Sequence, residues 1–285
     1  MNTRQVEELL VARPTSDGDG VRLMRVFGGQ DLARFDPFLM LDEFGSESSS
    51  DYIGGFPSHP HRGFETVTYM LDGHMQHRDH MGNVGELRNG DVQWMTAGSG
   101  VIHSEMPQQK EGRMRGFQLW LNLAAKDKMQ PASYKDVPAG DIPVIPRSAG
   151  HIKAIAGEVQ GSQGFVRGHI SRPATQPLYL DIVVESGRYA ETFAVPEGDT
   201  VLIYVYEGSV SVGGTVVGKS RMVRLSKQGD VDINADGPAK LLLIAGRPLR
   251  EPIVHYGPFV MNTREEIEQA LTDYRNGTLT ARRAY

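Results

Sequence analysis

The sequence predicts an all-β protein: two tandem β-barrels with one short helix at the C-terminus. Three observations carry that prediction. Glycine fills 33 of 285 positions, about 12% against a usual share of roughly 7%, and such an excess implies many tight turns between short strands. Segments of strand-forming residues follow one another closely, each bounded by glycine, proline or Asn-Gly. A β-unit also recurs: YMLDG (69–73) is followed after a hairpin by NGDV (89–92), and YVYEG (204–208) is followed after a hairpin by QGDV (228–231).

In chain order, residues 4–12 form a short strand or a helical turn, ended by Pro14 and the SDGDG turn. VRLMRVF (21–27) reads as a strand stopped by Gly28-Gly29, and the apolar DPFLMLDEF (36–44) leads into the polar loop GSESSSDYIGG. Between 56 and 123 come ETVTYML, GHMQHRDH, DVQWMTA, GVIHSEM and FQLWLNL, strands with little chain between them. The stretch 126–143, KDKMQPASYKDVPAGDIP, is polar and contains prolines, so it reads as the connection between domains. That division puts an N-terminal barrel at 1–135 and a C-terminal barrel with its helix at 136–285. Strands resume with HIKAIAGE, PLYLDIVV, GRYAETFAV, DTVLIYVYEG, SVSVGG, DVDINA and AKLLLIAG. Thr263 and Glu266 have the spacing of a capping box. The segment EEIEQALTDYRNG then runs as an amphipathic helix with Ile267, Ala270, Leu271 and Tyr274 on one face, and Gly277 ends it.

Composition excludes several classes of function. The net charge is −5 and no run is rich in lysine or arginine, so the basic face that direct nucleic-acid binding needs is missing. Arg282 and Arg283 read as a short solvated tail. With no cysteine there are no disulfides, thiolate ligands or cysteine nucleophile. The N-terminal residues lack the apolar core of a signal peptide, and no run approaches the roughly 18 apolar residues of a membrane helix. The expectation is a soluble, cytoplasmic protein.

Histidine is the most informative residue type. Of nine, six fall between 59 and 103. His59 and His61 are one residue apart, as are His103 and Glu105. On a strand, residues i and i+2 point to the same face with Cα atoms about 6.6 Å apart. Two such pairs on neighbouring strands send four donors toward one point. Three imidazoles and a carboxylate hold one divalent transition metal ion and leave one or two coordination positions open. The repeat tests this internally. Aligning YMLDG on YVYEG carries His59 and His61 onto Ala194 and Pro196, and aligning the two GDV sequences carries His103 and Glu105 onto Leu242 and Ile244. Every donor becomes apolar or small, which predicts one metal-binding barrel and one metal-free barrel. His74, His77 and His80 read as a solvated hairpin or the rim of a pocket. Phe56, Phe64, Trp94, Met95 and Met106 read as core, with one or two lining the pocket. His151, His169 and His255 read as structural or surface residues of the other half.

An H-x-H pair beside glycine, with a histidine on a later strand, resembles the cupin superfamily. More specifically, DPFLMLDEF, FPSHPHRGFETVTYMLDG, GDVQWMTAGSGVIHSE, FQLWLNL and GPFVMNTREEI resemble the pirin family, in the family's order and over most of the chain. The resemblance implies a bicupin whose N-terminal barrel holds a metal, usually iron, by His59, His61, His103 and Glu105. Glu65 occupies the general cupin glutamate position and is left out of the ligand set on the pirin pattern.

The same resemblance implies a function. Some pirins have quercetin 2,3-dioxygenase activity, so the expected substrate is a flavonol or other enediol-type small molecule together with O2, with Fe(II) as the expected ion. Glu105, as the ligand carboxylate, is then the catalytic base for the substrate hydroxyl. Imidazole-rich sites also accept Ni, Cu, Zn or Mn. The alternative implied by the family is a non-catalytic iron- or redox-dependent regulator that binds a protein partner. A purely structural ion is disfavoured, because structural sites are usually closed.

Overall fold

The computed structural model describes residues 2–29 and 31–281; the Arg282-Arg283 tail lies outside them. Strands dominate, and Arg264–Arg275 is the one α-helix among the described residues. No helix there is long and apolar enough to cross a membrane. The chain forms two compact units, Pro14–Ala139 with Leu249–Tyr285 and Met1–Arg13 with Gly140–Pro248.

The first unit holds two antiparallel sheets. A seven-stranded sheet runs in the order Ser133–Val137, Val92–Thr96, Phe64–Asp72, Met114–Asn122, Phe38–Ser46, Val21–Phe27, Arg13–Asp17. A four-stranded sheet runs Phe56–His61, Val101–Pro107, Met75–Asp79, Val84–Leu87. Neither sheet closes into a continuous ladder; the pair forms a jelly-roll barrel of the cupin kind. Phe64–Asp72 is buried over its first seven residues, so both of its faces are covered. Leu23, Phe44 and Met70 of the large sheet pack with Met75 and Leu87 of the small one.

In the second unit the sheet runs Val6–Val11, Arg221–Leu225, Thr200–Val212, Ala239–Gly246, Leu178–Val184, Gly150–Ala156, Val144–Arg147. Its core takes alternate residues: Leu180 and Ile182 from one strand, Val201, Ile203 and Val205 from the next, Leu241 and Leu243 from a third. The residues alternating with them, Leu202, Tyr204, Leu242 and Ile244, are buried as well, so these central strands are covered on both faces. The repeat has a structural counterpart. YMLD ends the strand Phe64–Asp72, while YVYEG lies inside Thr200–Val212, which continues through a register shift near Glu207 and a left-handed Gly208 at φ +70°.

The compact units group the chain differently from the expected division at 135/136: each takes in one end of the chain from beyond that boundary. Val6–Val11, now a strand rather than a helical turn, pairs with Arg221–Leu225. The fully buried Arg4 anchors it, donating to the carbonyls of Pro196 (2.7 Å), Ser226 (2.8 Å), Gly229 (2.9 Å) and Asp199 (3.0 Å). The helix belongs to the first unit, where Arg62 forms a buried 2.8 Å ion pair with Asp273. The helix starts at the expected capping box. Its buried stripe is Ile267, Ala270 and Asp273, whereas Tyr274 is exposed, because the Arg62 charge recruits the acidic residue inward. The supposed connection also contributes: Ser133–Val137 is an edge strand on Val92–Thr96, and Lys128 is buried.

Candidate metal centre

The predicted donors lie on two adjacent strands of the small sheet. Phe56–His61 and Val101–Pro107 run antiparallel with His59 opposite His103 and His61 opposite Val101. Period-two alternation turns all three rings to the same side. Their centroids are 4.7 Å (His59–His61), 4.4 Å (His59–His103) and 4.9 Å (His61–His103) apart. One nitrogen from each ring lies within 4.8 Å of the others, a spacing that could hold an ion. A register shift between His103 and Glu105 sets Glu105 opposite Phe56, and such a bulge re-aims the following side chain. Glu105 is buried at the wall of the same cavity but is not a member of that three-residue group.

The ring nitrogens fit a divalent transition metal. His59 Nδ1 lies 2.8 Å from the carbonyl of Pro57, which places its proton on Nδ1 and leaves Nε2 as an electron-pair donor. Nδ1 of His61 and Nε2 of His103 are buried with no hydrogen-bond partner. Burial drives both histidines well below the ordinary imidazole range, reinforced by His59 at His61 and by His61 and then His59 at His103. Neutral imidazoles are the form a metal binds.

The large sheet supplies the surroundings. Trp120 and Phe64 meet the His61 ring edge-on at 5.5 and 5.2 Å. The Thr68 hydroxyl lies 3.1 Å from Oε1 of Glu105 and 2.6 Å from Oε1 of Gln118, two acceptors that share its one proton. Glu65 instead accepts a 2.6 Å bond from Thr96. A cavity of about 690 Å³ opens beside the histidines. Leu39, Phe44, Phe56 and Trp120 give it apolar walls; Gln118 and Arg25 add polar ones. Arg25 is held by two bonds of 2.9 and 2.8 Å to the buried carboxylate of Asp42.

The sequence missed two histidines. His255, read as belonging to the other half, lines the cavity with Gly257 and Pro258. No local signal announces this, because it depends on the C-terminal segment returning to the first unit. Val260 donates to the Arg62 carbonyl at 3.1 Å, and Gly63, at φ +91°, lets that segment in: a Cβ there would stand 2.0 Å from the Val260 oxygen. His77, read as rim, is fully buried with its Nδ1 3.3 Å from Nδ1 of His103. Here a signal existed, since Met75 two residues earlier is core and shares its face. His74 and His80 point the other way; His74 pairs with Glu86 near the surface.

Two jelly-roll units in tandem, one with inward histidines on adjacent strands, define the class of protein: a bicupin. Residues 20–121 match the family model Pirin, and residues 179–280 match the Pirin C-terminal cupin domain. The chain belongs to the pirin family. A Pseudomonas aeruginosa relative named "Putative quercetin 2,3-dioxygenase" is 54% identical over 97% of this chain and 98% of its own. Human Pirin is 38% identical over 96% of this chain and 93% of its own. Among solved structures, a quercetin 2,3-dioxygenase from Acinetobacter baumannii is 35% identical and superimposes with a TM-score of 0.89, covering 98% of this chain and 99% of that one.

Proposed function

We propose that this chain is a metal-dependent dioxygenase acting on flavonol- or enediol-type substrates, with His59, His61, His103 and Glu105 as the metal ligands. The observation that carries the reading is the three-histidine cluster, two of whose members, His59 and His61, line a cavity of about 690 Å³. A cavity of that size, mostly apolar with a few convergent polar groups, suits a flat aromatic ligand of drug-like dimensions. The names of the Pseudomonas and Acinetobacter relatives support the same reaction class. When bound, a divalent ion, here expected to be Fe(II), supplies the Lewis acidity and redox capacity that reaction with O2 requires. The rest falls to the chain's own residues. Glu105, its Oε1 tied to Thr68, accepts the proton of the substrate hydroxyl. Phe56 and Trp120 form apolar walls for the aromatic rings and limit water, while Gln118 and His255 offer hydrogen bonds to substrate oxygens.

The test is metal content and oxygen uptake on the purified protein and on a His59→Ala, His61→Ala double variant. About one iron per chain and quercetin-dependent O2 consumption, both lost in the variant, is the expected result. A bound ion without flavonol-dependent uptake would replace the enzyme reading by the partner-binding regulator. No bound metal in either protein would overturn the site.

A further inference from the structure

We infer that His77 is a positioning residue of the metal centre: its Nδ1 accepts a hydrogen bond from the Nδ1–H of His103 and holds that ring with Nε2 facing the ion. The inference rests on the metal reading above.

His77 sits on Met75–Asp79, the strand that flanks Val101–Pro107 on the side away from His59 and His61, and it pairs in register with Glu105. Its ring stands 4.9 Å from the His103 ring at 51° and is backed by Tyr134 at 5.3 Å. The two Nδ1 atoms are 3.3 Å apart.

A neutral imidazole carries one proton on two nitrogens, and that fixes the direction of the bond. The His103 nitrogen that faces no protein partner is Nε2. To donate its lone pair to an ion it must be unprotonated, so the proton of His103 lies on Nδ1. That N–H needs an acceptor, and the atom opposite it is Nδ1 of His77. His77 must then carry its own proton on Nε2, a buried atom that itself has no hydrogen-bond partner, a cost that the bond to His103 has to offset. Histidine ligands regularly give their second N–H to a carboxylate or carbonyl, which fixes tautomer and ring orientation; here a second imidazole takes that place. Metal loading and the tautomer of His77 are therefore coupled, because the reverse direction would protonate His103 Nε2 and block it. A residue kept only for packing at this fully buried position would be apolar, since a buried polar ring without a polar task is a cost. His77 is also no fourth ligand: it lies outside the three-histidine group and its Nδ1 is engaged.

The experiment titrates Zn(II) and Ni(II) into the full-length protein and into His77→Phe, His77→Asn and the His59→Ala, His61→Ala variant. Thermal unfolding is recorded for each. The tautomers of the zinc-loaded wild type are read from 15N shifts of labelled histidine. The expected result is about 10–100-fold weaker metal binding in His77→Phe. His77→Asn should recover most of it, because its Oδ1 can accept at the Nδ1 position. The spectrum should show His103 protonated at Nδ1 and His77 at Nε2. Wild-type affinity in His77→Phe, equal loss in both substitutions, or a zinc-loaded His77 protonated at Nδ1 would each overturn the inference. The tautomer measurement needs no variant and decides the matter if His77→Phe does not fold. Failure of the wild type itself to bind either ion would overturn the metal reading. Normal loss in the His59→Ala, His61→Ala variant with wild-type binding in His77→Phe would overturn the role of His77 alone.

Discussion

Replacing Asp273 by alanine tests the exchange of chain ends at its anchor. The Arg62 and Asp273 side chains are 3% and 10% exposed, and their charged atoms are 2.8 Å apart. Removing one partner of a buried pair costs about 3–5 kcal/mol, because the other charge stays behind without compensation. Arg62 keeps two carbonyl acceptors, Ser99 and Leu279, which points to the lower end of that range. Against this, the substitution also removes the 2.7 Å bond from Gln269 to Asp273. We expect a loss of about 3 kcal/mol, or roughly 6–12 °C in Tm by the scaling for domains of this size. Both tryptophans of the chain, Trp94 and Trp120, lie in the unit that holds the helix. Urea unfolding followed by tryptophan fluorescence therefore reports on that unit selectively. The control is Glu47→Ala, which removes an exposed partner of Arg113, 78% and 41% accessible, where little change is expected. If Asp273→Ala shifts the transition no more than Glu47→Ala, the helix is not held by this pair and the argument for its docking fails.

Other substitutions address the site and its support. Lys128 donates to the Gly63 carbonyl (2.6 Å), Asn122 Oδ1 (2.6 Å) and the Val260 carbonyl (3.0 Å), so Lys128→Met should cost about 3 kcal/mol by orphaning buried acceptors. Burial pushes this ammonium from 10.5 down to about 7, opposed by Glu251, Glu266 and Asp36. Between those two values the unfolded chain holds a proton that the folded chain has lost. The lysine's contribution to stability thus rises with pH across the window, by on the order of 1 kcal/mol per pH unit, and falls away as pH drops through 7. Urea titrations at pH 7, 8 and 9 should show that slope in the wild type and a flatter one in Lys128→Met; equal slopes would refute it. Thr68→Val removes only the hydroxyl that Glu105 and Gln118 share. Nickel affinity should drop about tenfold, and an unchanged calorimetric isotherm would show that the orientation of Glu105 does not matter. Gly63→Ala places a Cβ 2.0 Å from the Val260 oxygen in a left-handed conformation. It should destabilise the first unit by on the order of 2–4 kcal/mol, and a Tm within a degree of wild type would contradict the close approach.

Local pattern determined a great deal in this protein. The strands ETVTYML, DVQWMTA, GVIHSEM and FQLWLNL stand where strand-forming residues between glycine, proline and Asn-Gly placed them. The helix begins at the Thr263 capping box. The juxtaposition of His59 and His103 was readable as well. Spacing i, i+2 turns each pair of donors to one face whatever the rest of the chain does, and neighbouring strands then suffice to bring the faces together. Such properties belong to consecutive residues, so the sequence carries them outright.

Other features exist only once distant segments meet. The exchange of Val6–Val11 and Arg264–Arg275 between units was hidden, because strand-pairing partners and helix docking depend on which buried surface remains uncovered. Asp273 displaced Tyr274 from the helix's buried stripe only because the charge of Arg62, 211 positions earlier, waits there. His255 lines the cavity beside His59 and His61 for the same reason: its segment is placed by Gly63 and Arg62, not by its own neighbours. His77 reaches His103 through the pairing of Met75–Asp79 with Val101–Pro107. Periodicity tells a residue which face it occupies; only the closed tertiary structure, by burying charges against partners and backbones against glycine, decides what that face meets.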